Sequence, residues 1–205
     1  MDSYATLKRL SRSTASGLAP AYSEAHVLKA IEIIGSLSGI GRKMLSKELG
    51  LGEGTVRTLV KRLKEEGVLE SSRGGMFLTS LGEKLLGDLH ESLRATELEE
   101  TIITVGRFNY AVLVKGLASG IKSGVEQRDT ALIAGAKGAT TLIFKEGCFH
   151  IPSLEIEFPE RISQRLIERL SPEEGDVIII GTADSLLEAE LGAKAAALEI
   201  LEKKE

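Results

Sequence analysis

With 205 residues, 42% hydrophobic and 27% charged side chains, the chain has ordinary globular composition and room for one large domain or two modest ones. No apolar run approaches the ~18 residues of a bilayer span, and the polar opening MDSYATLKRLSRSTASGLAP lacks the apolar core of a secretory leader. A cytoplasmic protein with no membrane contact is the expectation. The single cysteine, Cys148, excludes an intrachain disulfide framework and a Cys-rich zinc site. Trp is absent, and Asn109, Gln127 and Gln164 are the only side-chain amides, a bias that fits a hot-living organism.

The charge is uneven. Residues 1–75 hold 12 Lys+Arg against 8 Asp+Glu, and residues 76–205 hold 14 against 22. A basic first part on an acidic remainder suits a chain that meets a polyanion through its N-terminal part alone.

Residues 1–22 read as an arm, rich in Ser, Lys and Arg and poor in apolar periodicity. From Ser23, an N-cap, Val27, Leu28, Ile31, Ile34 and Leu37 recur at helical spacing. A shorter helix follows over Arg42–Leu49, closed by Gly50, and a third over about Glu53–Glu66, closed by Gly67. Val68–Ser71 and Met76–Thr79 form a hairpin about Ser-Arg-Gly-Gly. Ser80 and Glu83 read as a capping box that opens a helix through about Leu93. The polar stretch RATELEET, residues 94–101, is the expected domain boundary.

Beyond it, Ile102–Val105 and Ala111–Leu117 read as one interrupted strand and Gly124–Ala136 as a helix. Thr140–Lys145 and Cys148–Ile151 follow as strands, then a helix over Pro159–Leu170, a strand over Asp176–Gly181 and a long helix over Ser185–Lys203. That is the βαββαβ order plus a C-terminal helix, a ferredoxin-like arrangement with its helices on one face of a sheet. The expected chain is α+β: arm 1–22, helical and hairpin domain 23–94, α/β domain 95–205.

The segment GRKMLSKELGLGEGTVRTLVKRLKEEGVLESSRGGMFLTSLGEKLL, residues 41–86, resembles the winged helix-turn-helix of transcriptional regulators. That resemblance implies double-stranded DNA as partner, with the third helix in a major groove. Thr55, Arg57 and Thr58 would then lie near base edges. Lys61, Arg62 and Lys64 would suit phosphates, Arg42 and Lys43 would meet the backbone, and Arg73 would sit at the wing tip. The recognition-helix N-cap is commonly Ser or Thr in that family. Here it is Gly52, so a side-chain phosphate contact is lost. Winged helices also dock proteins, and a non-DNA scaffold is the competing reading.

Residues 108–144, above all GVEQRD (124–129) and GAKGATTL (135–142), look like an uncharacterised, mainly archaeal domain that follows a winged helix. The layout implies a unit that dimerises or binds a small effector, and a homodimer reading two half-sites ~34 Å apart. The candidate dimer surfaces are the last helix and the helix after the wing. Glu126, Arg128 and Asp129 stand at a helix start, where an anion could be held; a solvated, capped helix start explains them equally. Thr182 and Asp184 follow a buried strand, and Arg107 lies in a third polar cluster. His26, His90 and His150 have no metal-ligand spacing, Cys148 and His150 make only a lone Cys-x-His, and no phosphate-loop or nucleophile-elbow motif occurs. The sequence therefore suggests no enzyme, cofactor or metal site.

Overall fold

The computed structural model describes residues 3–12, 21–37, 39–152, 154 and 158–203. The chain divides into two units, Met1–Glu91 and Ser92–Glu205.

In the first unit, Ser3–Ser11 is a helix, α1, where the sequence suggested an arm; residues 13–20 lie outside the described residues. Leu7 and Leu10, three apart, are fully buried, and α1 packs on α2 (Glu24–Ser36) and α4 (Glu53–Glu65). Tyr4 is buried with the two leucines, but so are the polar Thr6 and Ser11, a mixed pattern that does not announce the helix in advance. Helix α2 starts at Ser23, whose N–H donates to His26 Nδ1 at 3.2 Å, so an imidazole fills the place a Glu or Gln takes in a capping box. Helix α3 (Arg42–Leu49) and α4 are joined by three residues, Gly50 to Gly52. Gly50 adopts φ 62°, and the Leu51 N–H reaches the Ser46 carbonyl at 3.1 Å, closing α3 in the left-handed turn that glycine favours. Leu45, Leu49, Val56, Leu59 and Leu63 are buried.

Strands β1 (Leu69–Ser72) and β2 (Gly75–Leu78) form the hairpin, with Arg73 and Gly74 at its tip. The wing is tied back to the turn before α3. Met76 N donates to the Ile40 carbonyl at 3.0 Å, and a Cβ on Gly75 would lie 2.1 Å from the Gly39 oxygen. Helix α5 (Ser80–Ser92) is capped by Thr79, one residue before the Ser80 expected, because the Thr79 hydroxyl accepts from Gly82 N at 3.1 Å.

The second unit is a five-stranded sheet with spatial order β3-β4-β7-β5-β6, every neighbouring pair antiparallel. In chain order its elements are β3 (Leu93–Leu98), β4 (Phe108–Val114), α6 (Val125–Ile133), β5 (Gly138–Lys145), β6 (Cys148–His150), α7 (Glu160–Leu170), β7 (Val177–Ala183) and α8 (Leu186–Glu202). From β4 onward this is the βαββαβ succession plus a helix, and the unit is α+β and ferredoxin-like in that succession. Two expectations fail. Residues 93–98, read largely as linker, are an edge strand, and residues 102–105, read as strand, are a loop with Ile102 and Val105 exposed. Helices also cover both sheet faces. Leu166 and Leu170 of α7 pack with Ala111, Leu113, Ile178 and Ile180. Gly181, in the opposite pleat, admits the α8 backbone: a Cβ there would meet Ala189 O at 2.3 Å. All seven residues of β7 are buried, which accounts for its Val-Ile-Ile-Ile run.

Candidate nucleic-acid interface

Most candidate DNA residues stand on α3, α4 and the hairpin tip. Arg42, Lys43, Arg57 and Arg73 are exposed, and among the described residues none has an ion-pair or hydrogen-bond partner through its side chain. Thr55 is half-buried. The Thr58 hydroxyl donates back to the Gly54 carbonyl at 3.2 Å. Lys61 is exposed and pairs loosely with Glu65, one turn on, at 3.6 Å, a contact of about 0.3–0.5 kcal/mol that a phosphate would readily replace.

Arg62 is placed differently from the sequence reading. Its Nη1 donates to the Leu10 carbonyl at 3.3 Å and to the Arg12 carbonyl, and its guanidinium lies 5.9 Å from the centre of the Tyr22 ring. It therefore caps the C-terminal end of α1, where a cation suits the helix dipole. Arg9 adds a second tie to α4, pairing with Glu66 at 2.7 Å. That hydrogen bond holds the Glu66 carboxyl below its ordinary range.

Three glycines border the two helix starts. Gly41 and Gly52 are the N-caps of α3 and α4, and Gly54 lies in the first turn of α4. None has positive φ, and a Cβ on any of them would meet nothing within 4 Å. Neither backbone strain nor crowding explains them. At Gly41 and Gly52 no side chain caps the helix start.

The tentative effector residues occupy separate places in the second unit. Arg107 is exposed and stands 5.7 Å from the Phe108 ring centre. Thr182 is buried, and its Oγ1 accepts from Gly106 N at 2.7 Å, so its hydroxyl is committed to the fold instead of open to a ligand. Asp184 pairs with Lys137 at 2.6 Å, and Ser185, not Asp184, caps α8. Pairing of Phe108 with Ala183 gathers Arg107, Thr182 and Asp184 at one end of the sheet. At the start of α6, Glu126 bonds Lys203 at 2.5 Å and Arg128 bonds Asp129 at 2.9 Å. The Lys203 hydrogen bond draws the Glu126 carboxyl below its ordinary value.

Cys148 is exposed, and His150 Nε2 lies 3.3 Å from the Lys145 carbonyl oxygen. Among the described residues no group of three or more His, Cys, Asp or Glu could hold a metal ion, and no helix is long and apolar enough to cross a membrane. Helix α8, expected as a dimer surface, packs on β4, β7 and α6 within its own unit. Leu85 and Leu89 of α5 are likewise buried.

The three-residue turn between α3 and α4, the helix before it and the hairpin after it make the first unit a winged helix-turn-helix, with α4 in the recognition position. Residues 31–84 match the family "PH0730-like, N-terminal domain" and residues 105–200 match "Domain of unknown function (DUF4443)"; the chain joins the first of these domains to the second. Hypothetical protein PH0730 from Pyrococcus horikoshii OT3 is similar in structure, with a TM-score of 0.74 and 28% identity over 89% of this chain and 95% of its own. Among curated proteins, the HTH-type transcriptional regulator Ptr1 of Methanocaldococcus jannaschii is 33% identical over 75 residues, 35% of this chain and 51% of its own. The central glycolytic genes regulator of Bacillus subtilis is 35% identical over 81 residues, 38% of this chain and 24% of its own. The chain thus spans about half or less of the curated relatives it matches.

Proposed function

We propose that this protein is a DNA-binding transcriptional regulator whose winged helix engages duplex DNA and whose second unit dimerises the protein or receives an effector. The observation that carries the reading is the exposed, partner-free set Arg42, Lys43, Arg57 and Arg73 on α3, on α4 and at the wing tip. Similarity to proteins named as transcriptional regulators supports it. In this arrangement Arg57 lies near base edges, where a bidentate contact to guanine discriminates by about 1–3 kcal/mol. Thr55 and Thr58 flank it on the same helix. Arg42, Lys43 and Lys61 neutralise phosphates, and Arg73 meets the backbone or the minor groove beside the wing. Arg62 has no part in the interface, because it holds α1.

One short helix makes few base contacts, and a homodimer reading two half-sites doubles them. The test is capture of sheared source-genome DNA by the full chain at two salt concentrations, beside an Arg42→Ala/Arg57→Ala variant. The expected result is a few discrete sequences, lost in the variant and weakened by salt with a log–log slope of about −0.9 per phosphate contacted. Recovery of nothing, or of every sequence alike in both proteins, would overturn the reading in favour of a protein-docking module.

A further inference from the structure

Helix α6 splits the polar run Glu126–Asp129 in two. Glu126, Arg128 and Asp129 are exposed, whereas Gln127 is only 3% exposed. Gln127 lines a cavity of about 240 Å³ whose apolar walls are Leu117, Ile121 and Ile200, with Ser119, Gly120 and Lys203 completing the lining. No hydrogen bond to another described residue engages its side-chain amide. Its amide is not sealed from solvent, so its donor and acceptor are open to a molecule seated in the cavity.

The chemistry of the lining narrows the partner. A carboxamide presents a donor beside an acceptor, and an edge carrying the same pair in reverse satisfies both. Lys203 is the cation of the lining, but Glu126 at 2.5 Å and Glu199 at 2.9 Å already bind its ammonium. With both carboxylates on it, that ammonium is not free to hold an anion, and the lining admits a neutral molecule. The volume falls below the ~300–1,000 Å³ of drug-sized sites, which suits one ring or a fused pair without sugar or phosphate. A second cavity of the unit, between β3 and α7, is lined by Arg161 and by Arg165, the latter paired with Glu99, and presents no amide.

We propose that this cavity binds a small neutral heterocycle with a donor–acceptor edge, of the free-nucleobase class, and that Gln127 reads that edge. The proposal deepens the effector reading of the second unit and rests on it for what binding controls.

Adenine and uracil are the probes and benzoate the anionic control, each titrated into the full chain and followed by NMR of the Gln127 side-chain amide and by ligand-detected saturation transfer. Gln127→Leu removes the amide and keeps an apolar body of similar size. At least one base is expected to bind the native protein and to lose about tenfold or more in affinity for Gln127→Leu, the loss of one good hydrogen-bonded contact. Benzoate should bind neither. Absence of binding by both bases, or equal binding by both proteins, would overturn the site. DNA capture scored on the same native protein separates the two readings. Base binding without DNA capture faults the regulator reading and leaves the site standing; DNA capture without base binding faults the site alone.

Discussion

Arg62 of the recognition helix donates a hydrogen bond to the Leu10 carbonyl in the last turn of α1, at 3.3 Å. An arginine that the family resemblance assigns to DNA is thus a clasp between two helices of the same unit. The charge a winged helix offers to a polyanion is what remains after its own fold has drawn on the same residues. Arg57, five residues earlier on α4, is among those that remain.

The two arginines should therefore separate cleanly on mutation. Arg62→Ala is expected to lower the stability of the first unit by about 1–2 kcal/mol, since it removes a charged donor from two carbonyls. Arg57→Ala should leave the melting temperature within the scatter of surface changes, about ±0.5 kcal/mol, and weaken specific DNA binding. Thermal melts paired with a DNA titration at fixed salt test both halves. Equal melting temperatures for the two variants would refute the clasp.

His26 gives the first unit a pH dependence. Burial, and secondarily the charge of Lys29, hold its pKa below the ordinary 6.5, and its Nδ1 must be unprotonated to accept from Ser23 N. The native state then binds fewer protons than the unfolded chain. The associated stability is complete above about pH 6.5 and is lost as pH falls through the depressed native value. Denaturant melts between pH 7.5 and 5, taken as working values around that window, should show the midpoint fall on acidification. Gln at position 26, which keeps a capping acceptor without titrating, should flatten the fall.

Gly54→Ala should move stability and binding in opposite directions. A Cβ there meets nothing within 4 Å, so the helix gains about 0.8–1 kcal/mol of propensity, less so close to its end. The same methyl group stands where a phosphate would approach. A variant that melts higher and binds DNA as well as the native protein would show that the glycine serves no contact.

Gly181→Ala tests how closely α8 lies on the sheet. The added Cβ would fall 2.3 Å from Ala189 O and 2.8 Å from Ala193 N, both backbone atoms within a helix. A loss of about 3 kcal/mol or more is expected, at the severe end for overpacking, because neither atom can move alone. Urea unfolding followed by far-ultraviolet dichroism measures it.

What the sequence disclosed follows from which signals are local. The winged helix was legible because Val56, Leu59, Val60 and Leu63 repeat at helical spacing and glycines punctuate each end. Leu93–Leu98 was read largely as linker because Arg94, Thr96 and Glu97 make it polar, although Arg94 turns to α7 and donates to the Leu170 carbonyl at 2.9 Å. Ile102 to Val105 misled in the reverse sense: β-branched residues suggested a strand, yet the segment is a loop in which Ile103 packs on the core while Ile102 and Val105 are exposed. The clasp of Arg62 was hidden because its partner lies 52 positions away. Gln127 escaped the list of candidates because its charged neighbours draw attention, and spacing alone does not say which of four polar residues turns inward.

Strand β7 has a bearing on how the protein is made. It lies between β4 and β5, pairing with both, yet it is the last strand in the chain. Until Val177–Ala183 has left the ribosome, β3 and β4 form one ribbon and β5 and β6 another, each with an open edge where β7 belongs. The winged-helix unit, complete by Glu91, meets no such delay. Synthesis therefore yields a finished winged helix attached to an unfinished sheet for nearly the whole second half of translation, and that interval is when the nascent chain is most open to pairing with a neighbour.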